Sequence, residues 1–368
     1  MSKTVFILGA GASKQAGVPL MGEFLDVADS IWKEGKITEE DKEHFERVFR
    51  AIGKLQMLHS KSQLDLVNLE AVFSTFEMAN LLKKLPGFEP DQLPDLLTSM
   101  KRLIVVTIEK TLKYPFSSGH AKEAEPYREF CKLLKDLKDT RNKAPDVSII
   151  TFNYDIAIDH ALHYHNLGPD YQLQAHAGSE NAVNLLKLHG SLNWGISLEH
   201  DQIFPFDLKD YFKKYSFRHI ISDTNEVTIN VSSHLYDQRE DLKITGEPVI
   251  VPPTWNKSQY HSELTDVWSQ AAKELEEAEN IFVVGFSLPE TDIFFKHLYA
   301  LGTVGETPLK RFWVFDPDES GEVENRYRIL LGPGALARFD YQSLTFEDAI
   351  QYIQNKMTGR SGKKARVF

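Results

Sequence analysis

Val5-Phe6-Ile7-Leu8-Gly9-Ala10-Gly11-Ala12-Ser13, followed by Gly17-Val18-Pro19, is the stretch that decides the fold. Four apolar residues, three of them β-branched or aromatic, predict a buried parallel strand. The strand ends at Gly9-Ala10-Gly11. Without β-carbons the backbone can turn sharply there and bring its N–H groups close to a phosphate. Ser13 can cap the helix that follows or bond a phosphate oxygen. Strand, glycine turn and helix start together predict a dinucleotide cradle. The spacing is Gly-x-Gly-x-x-x-x-x-Gly rather than Gly-x-Gly-x-x-Gly, so a purely structural βα turn is the competing interpretation.

Two later stretches bear on that choice. Val147-Ser148-Ile149-Ile150-Thr151-Phe152-Asn153-Tyr154-Asp155 and Leu185-Leu186-Lys187-Leu188-His189-Gly190-Ser191 are both apolar strands that end in polar residues. Ligands of open α/β sheets lie at the carboxyl ends of strands. Here the chain resembles the sirtuin superfamily. Its Gly-Ala-Gly-x-Ser loop, Gly-Ile/Val-Pro, Asn-Ile-Asp and His-Gly motifs appear here, in this order, as Gly9–Ser13, Gly17-Val18-Pro19, Asn153-Tyr154-Asp155 and His189-Gly190.

Composition sets limits. The 368 residues suffice for two domains, or for one with an insertion, and a 42% hydrophobic content supports a sizeable core. No apolar run approaches the roughly 18 residues that span a bilayer, and no signal peptide is recognisable, so a cytoplasmic location is expected. The single cysteine, Cys131, excludes an internal disulfide and a cysteine-based zinc site. A net charge of −11 argues against broad nucleic-acid binding. Arg360, Lys363, Lys364 and Arg366 predict a basic, flexible tail over 359–368.

Apolar spacing predicts helices at 18–35, 39–58, 64–85, 93–112 and 127–137. The expected architecture is therefore a Rossmann-like, doubly wound α/β domain (1–35 and 146–358) carrying an inserted all-helical module (36–145). After 146, strands are expected at 147–152, 184–189, 247–252, 280–285, 310–316 and 336–341. Helices are expected at 155–165, 260–278, 290–301, 319–331 and 344–357. The segment 195–246 reads as irregular. Its aromatics at 204–217, like Phe45, Phe49, Phe73 and Phe76 of the module, can serve either a core or an interface.

The polar residues at the strand ends carry the chemistry. His189 can act as a general base, hold a ribose hydroxyl, or simply bond backbone at a strand end. Asn153 can hold a ribose hydroxyl or a water, or close an Asx turn. Asp155 can bind a carboxamide, stabilise a cation, or cap the next helix. Gly285 and Ser287, in Val283-Val284-Gly285-Phe286-Ser287-Leu288-Pro289, occupy a second glycine turn. Asp292 can cap a helix or bind polar ligand groups. Asp316 ends a further strand, where an acid suits a ribose diol or closes a turn.

The resemblance implies more. Gly9, Ala10, Gly11 and Ser13 correspond to the pyrophosphate loop of sirtuins, and Gly285 and Ser287 to their Gly-Thr-Ser-Leu segment at a cofactor ribose. Sirtuin deacylases carry a four-cysteine zinc ribbon and an Asp-Phe-Arg after Gly-Ile-Pro. Here there is one cysteine, and Leu20-Met21-Gly22-Glu23-Phe24 stands in place of the latter. The pattern is similar to zinc-free bacterial sirtuin-like antiphage proteins that hydrolyse NAD. That likeness implies an NAD hydrolase that acts through Asn153, His189 and Asp155 without a metal and depletes NAD during abortive infection. It also implies a homo-oligomer or a phage-sensing partner such as a HerA-type ATPase. The alternatives are a protein deacylase or ADP-ribosyltransferase, and a non-catalytic sensor of NAD or ADP-ribose.

Overall fold

The computed structural model describes residues 3–57, 63–138, 147–173, 182–200, 202–215, 220–221, 225–251, 264–289 and 292–358. The basic tail lies outside these residues. At the centre are seven strands: β1 (Thr4–Leu8), β2 (Val147–Thr151), β3 (Pro169–Asp170), β4 (Val183–Lys187), β5 (Asn280–Val284), β6 (Arg311–Phe315) and β7 (Phe339–Gln342). They form one sheet in the order β7-β6-β5-β1-β2-β4-β3, with every pair parallel. Apart from the two-residue edge strand β3, this is the order of a doubly wound dinucleotide-binding fold. β1, β2 and β5 are buried at every position, because helices cover both faces of the sheet.

The strand order reverses between β1 and β5. Consecutive crossovers step one way from β1 through β2 to β4, and the other way from β5 through β6 to β7. A crevice opens at such a switch point, outside the carboxyl ends of the two central strands. Gly9 and Gly285 follow those two strands directly.

Most of 36–145 is helical, with long helices at Glu39–Gln56, Leu69–Leu82 and Leu93–Thr111. Phe45, Phe73 and Phe76 are wholly buried there and build its core, while half-buried Phe49 stacks on Trp32. Two features differ from an all-helical module. Tyr114–Ser117 and His120–Ala121 are short strands in a four-stranded sheet with Ile220–Ile221 and Glu226–Val227. The last helix, Tyr127–Lys138, lies against the central sheet, with the Phe130 ring edge-on to Phe6 at 5.0 Å. This helix packs on the sheet rather than only within the helical module.

The helix expected at 18–35 begins only at Phe24, beyond Pro19 and Gly22. The segment 195–246 is less irregular than its composition suggests. It holds a ribbon of Trp194–Ile196 with Ile203–Pro205, and helices at Leu208–Tyr215, Val231–Asp237 and Arg239–Leu242. Phe206 and Tyr211 pack inward against His234, so these two aromatics serve a core and not an exposed interface. Phe217 lies outside the described residues. The strand expected at 247–252 is not part of the central sheet. Among its described residues only Val249–Ile250 is extended, and it pairs antiparallel with Gly190–Ser191 just beyond β4.

Candidate active site

The crevice at the switch point is a cleft of about 400 Å³, within the range of small-molecule sites. The turns after β1, β2, β4, β5 and β6 all reach it. Leu20, Met21 and Gly22 add one wall, Glu70 reaches in from the helical module, and Leu344, Thr345 and Phe346 close the far end.

The two glycine turns are packed backbone to backbone. Gly9 N–H donates to Val284 C=O at 3.1 Å, and Gly11 N–H donates to Gly285 C=O at 2.9 Å. A β-carbon on Gly11 would lie 2.8 Å from Gly285 Cα. One on Gly285, whose φ is +61°, would lie 2.5 Å from Ala12 N. These glycines are therefore needed first to seat one turn on the other. A branched residue at position 11 would reach Gly285 before it reached any ligand. Gly11→Val is accordingly expected to destabilise the fold by about 1–3 kcal/mol through overpacking, with any loss of ligand affinity accompanying that change. Denaturant titration gives the value; unchanged stability would mean that the turns separate freely.

Asn153 lines the cleft and is half-buried. Its Nδ2 donates to Gly9 C=O at 2.9 Å and to Ser13 Oγ at 3.0 Å. With the amide so oriented, Oδ1 is the atom turned to other partners. His189 lines the same cleft from the end of β4 and is 5% exposed. Its ring meets Phe152 edge-on at 5.2 Å, and Phe152 stacks on Phe286 at 4.2 Å. Backbone bonds hold the histidine in place. Its C=O accepts from Val251 N–H, and Leu188 C=O accepts from Trp268 Nε1.

Two expected site residues stand behind the cleft rather than in it. Ser13 is wholly buried. Its hydroxyl donates to Asp155 Oδ2 at 2.7 Å, lies 2.7 Å from Tyr127 OH and accepts from Asn153. One donor and two acceptor sites are thus used, and none is left for a phosphate. Asp155 is also buried. Its Oδ1 accepts from Ala157 N–H two residues on, closing a turn, while Ile156 and not Asp155 occupies the N-cap of the helix Ala157–Tyr164. Burial pushes its carboxyl above the usual range, while Lys187 and Ser13 pull it back. Ser13 bonds Asn153 directly, and Asp155 reaches it only through Ser13.

Lys187 underlies this arrangement. Its ammonium is wholly buried and donates to Asp155 C=O at 2.6 Å and to Asp159 Oδ2 at 2.9 Å. Tyr171 OH donates to the other Asp159 oxygen. A single side chain of β4, two positions before His189, thus ties down the turn that carries Asn153.

The remaining expected residues border the cleft. Gly285 and Ser287 lie on its wall, and Arg326 Nε holds Ser287 C=O at 2.8 Å. Asp316 lies at the β6 end, its carboxyl raised mainly by burial. Ala10 lines the opening. Asp292 is 4% exposed and precedes the helix Ile293–Gly302 without a side-chain capping bond, so the capping alternative does not hold. Glu70 and Lys14 also line the cleft and were not expected there. Asn68 caps the helix Leu69–Leu82 and so fixes Glu70 in its first turn, but only the fold brings that turn to the sheet. Among the described residues, no group of three His, Cys, Asp or Glu could hold a metal ion, and no helix is long and apolar enough to cross a membrane.

No protein-family model matches the chain, and no curated protein matches it. Among solved structures it is similar to sirtuins. A Sir2 homologue in complex with NAD is 13% identical, with 96% of this chain and 88% of that one covered and a TM-score of 0.38. Sir2 with a p53 peptide and NAD is 11% identical, with 96% and 92% covered and a TM-score of 0.40. Sir2Tm bound to a propionylated peptide is 12% identical, with 96% and 92% covered and a TM-score of 0.37.

Proposed function

We propose that the chain is an NAD hydrolase that cleaves the nicotinamide–ribose bond to give nicotinamide and ADP-ribose. The observation that supports this most is the meeting of Asn153 and His189 in one cleft at the switch point of the sheet. Nicotinamide departs neutral, taking the electron pair of the glycosidic bond. The sugar passes through an oxocarbenium-like state, as in glycoside hydrolysis. Asn153 Oδ1 is suited to hold a ribose hydroxyl or the attacking water. His189 takes the proton that water loses as its oxygen bonds the anomeric carbon. The aromatic wall of Phe152 and Phe286 suits a flat heteroaromatic ring.

Asn153→Ala is expected to lower turnover by about 10²–10³-fold, the usual effect of losing one preorganised polar contact at a reacting centre, with most NAD affinity kept. Calorimetry beside kinetics checks this; an affinity that falls in step with the rate would place Asn153 in binding alone. Incubation with NAD followed by chromatography separates the readings. Nicotinamide with free ADP-ribose marks a hydrolase, ADP-ribose attached to protein marks a transferase, and bound but intact NAD marks a sensor.

A hydrolase that empties a cell of NAD needs restraint. We assign it to antiphage defence in the cytoplasm, controlled by homo-oligomerisation or by a partner such as a HerA-type ATPase. That part rests on the likeness of the Asn153, His189 and Gly285–Pro289 motifs to sirtuin-like defence proteins.

A further inference from the structure

The cleft has a charge imbalance for a dinucleotide. Glu70, Asp292 and Asp316 line it, and Lys14 is the only lysine or arginine among its described lining residues. A pyrophosphate is dianionic. Backbone N–H groups commonly hold such an anion at a glycine turn. Here Gly9 N–H bonds Val284 C=O, Gly11 N–H bonds Gly285 C=O, and Ala12 N–H bonds Gly9 C=O at 3.0 Å. The turn therefore withholds three of its donors from any ligand. The helix that follows, Ala10–Ser13, has only four residues and contributes little dipole.

Lys14 directly follows that short helix. Its Nζ lies 2.6 Å from Glu23 Oε1, and the two side chains are 53% and 45% exposed. An ion pair this exposed contributes little to stability. An ammonium held so weakly is easily taken over by a stronger anion. Glu23 adjoins Gly22, itself part of the cleft wall. Glu23 is not a lining residue itself, but through Lys14 its carboxylate competes with a phosphate for the same ammonium.

We propose that Lys14 is the phosphate-binding cation of this cleft, and that Glu23 is a latch which releases Lys14 when the phosphates of a dinucleotide arrive. This rests on the nucleotide reading above and adds to it: the recognised ligand must carry a phosphate group beside its sugar, and its affinity is set by exchange of partners at one lysine.

The test is calorimetric titration of the full chain with ADP-ribose, and with adenosine as a phosphate-free probe, for wild type, Lys14→Gln and Glu23→Gln. Loss of a charge-assisted contact is expected to weaken ADP-ribose by about tenfold in Lys14→Gln, with adenosine unaffected. Removing the competing carboxylate in Glu23→Gln is expected to tighten ADP-ribose. Wild-type binding of ADP-ribose by Lys14→Gln, or equal losses for both probes, would overturn the role of Lys14 alone. A wild-type chain that binds neither ADP-ribose nor adenosine would overturn the nucleotide reading along with it.

Discussion

Replacing His189 with alanine is expected to slow NAD cleavage by about 10²–10⁴-fold, the usual contribution of a general base. The fold should persist, because the main chain at 188–189 is held by Val251 and Trp268 rather than by the imidazole. His189→Gln keeps most of the volume packed against Phe152 and removes the basic nitrogen. The two variants should therefore be similarly slow but differ in thermal stability, with alanine the lower. Single-turnover kinetics beside a thermal melt checks both points. A glutamine variant cleaving at the wild-type rate would make His189 a packing residue and place the base elsewhere.

Lys187→Met carries the largest expected stability effect. Lys187 and Asp159 are both wholly buried, and removing the ammonium leaves the carboxylate without its ion-pair partner. Breaking a buried pair from one side typically costs about 3–5 kcal/mol. Asp155 C=O loses its donor at the same time, which loosens the turn bearing Asn153. Turnover should fall beyond what the lower stability explains. Adding Asp159→Leu should recover part of the stability, since the orphaned charge is then gone, but not the turnover, since the tie to Asp155 is still missing. Denaturant titration of both variants measures the first effect. A Lys187→Met protein as stable as wild type would show that water reaches Asp159.

These effects also mark what was legible in the sequence. The central strands were readable because Val5–Leu8 and Ile281–Val284 are apolar runs, and Val147–Ile150 is one but for Ser148, all buried on both faces as a parallel sheet requires. Asn153 and His189 stand out because each is a polar residue just past a strand, directly after Phe152 and Leu188. Ser13 and Asp155 lie farther past their strands, and neither lines the cleft. Sequence position fixes that a residue sits at a strand end, whereas the side of the turn it faces depends on Tyr127 and Lys187, which are distant in the chain. The glycines stand out in the sequence as turn residues, but the packing that requires them does not. Gly11 meets Gly285, and no local pattern links residues so far apart. Val249–Ile250 has strand composition, but its backbone partners are Gly190 and Ser191 and not the main sheet. Glu70 enters the cleft only because a helical module folds back over the sheet.

The most direct test of the central claim is mass spectrometry of the products formed from NAD in heavy-oxygen water. The Asn153–His189 cleft predicts nicotinamide and ADP-ribose in equal amounts, with one solvent oxygen at the anomeric carbon of the ADP-ribose, and loss of both products in His189→Gln. NAD recovered intact from the wild-type chain, or ADP-ribose formed equally well by the His189→Gln variant, would contradict it.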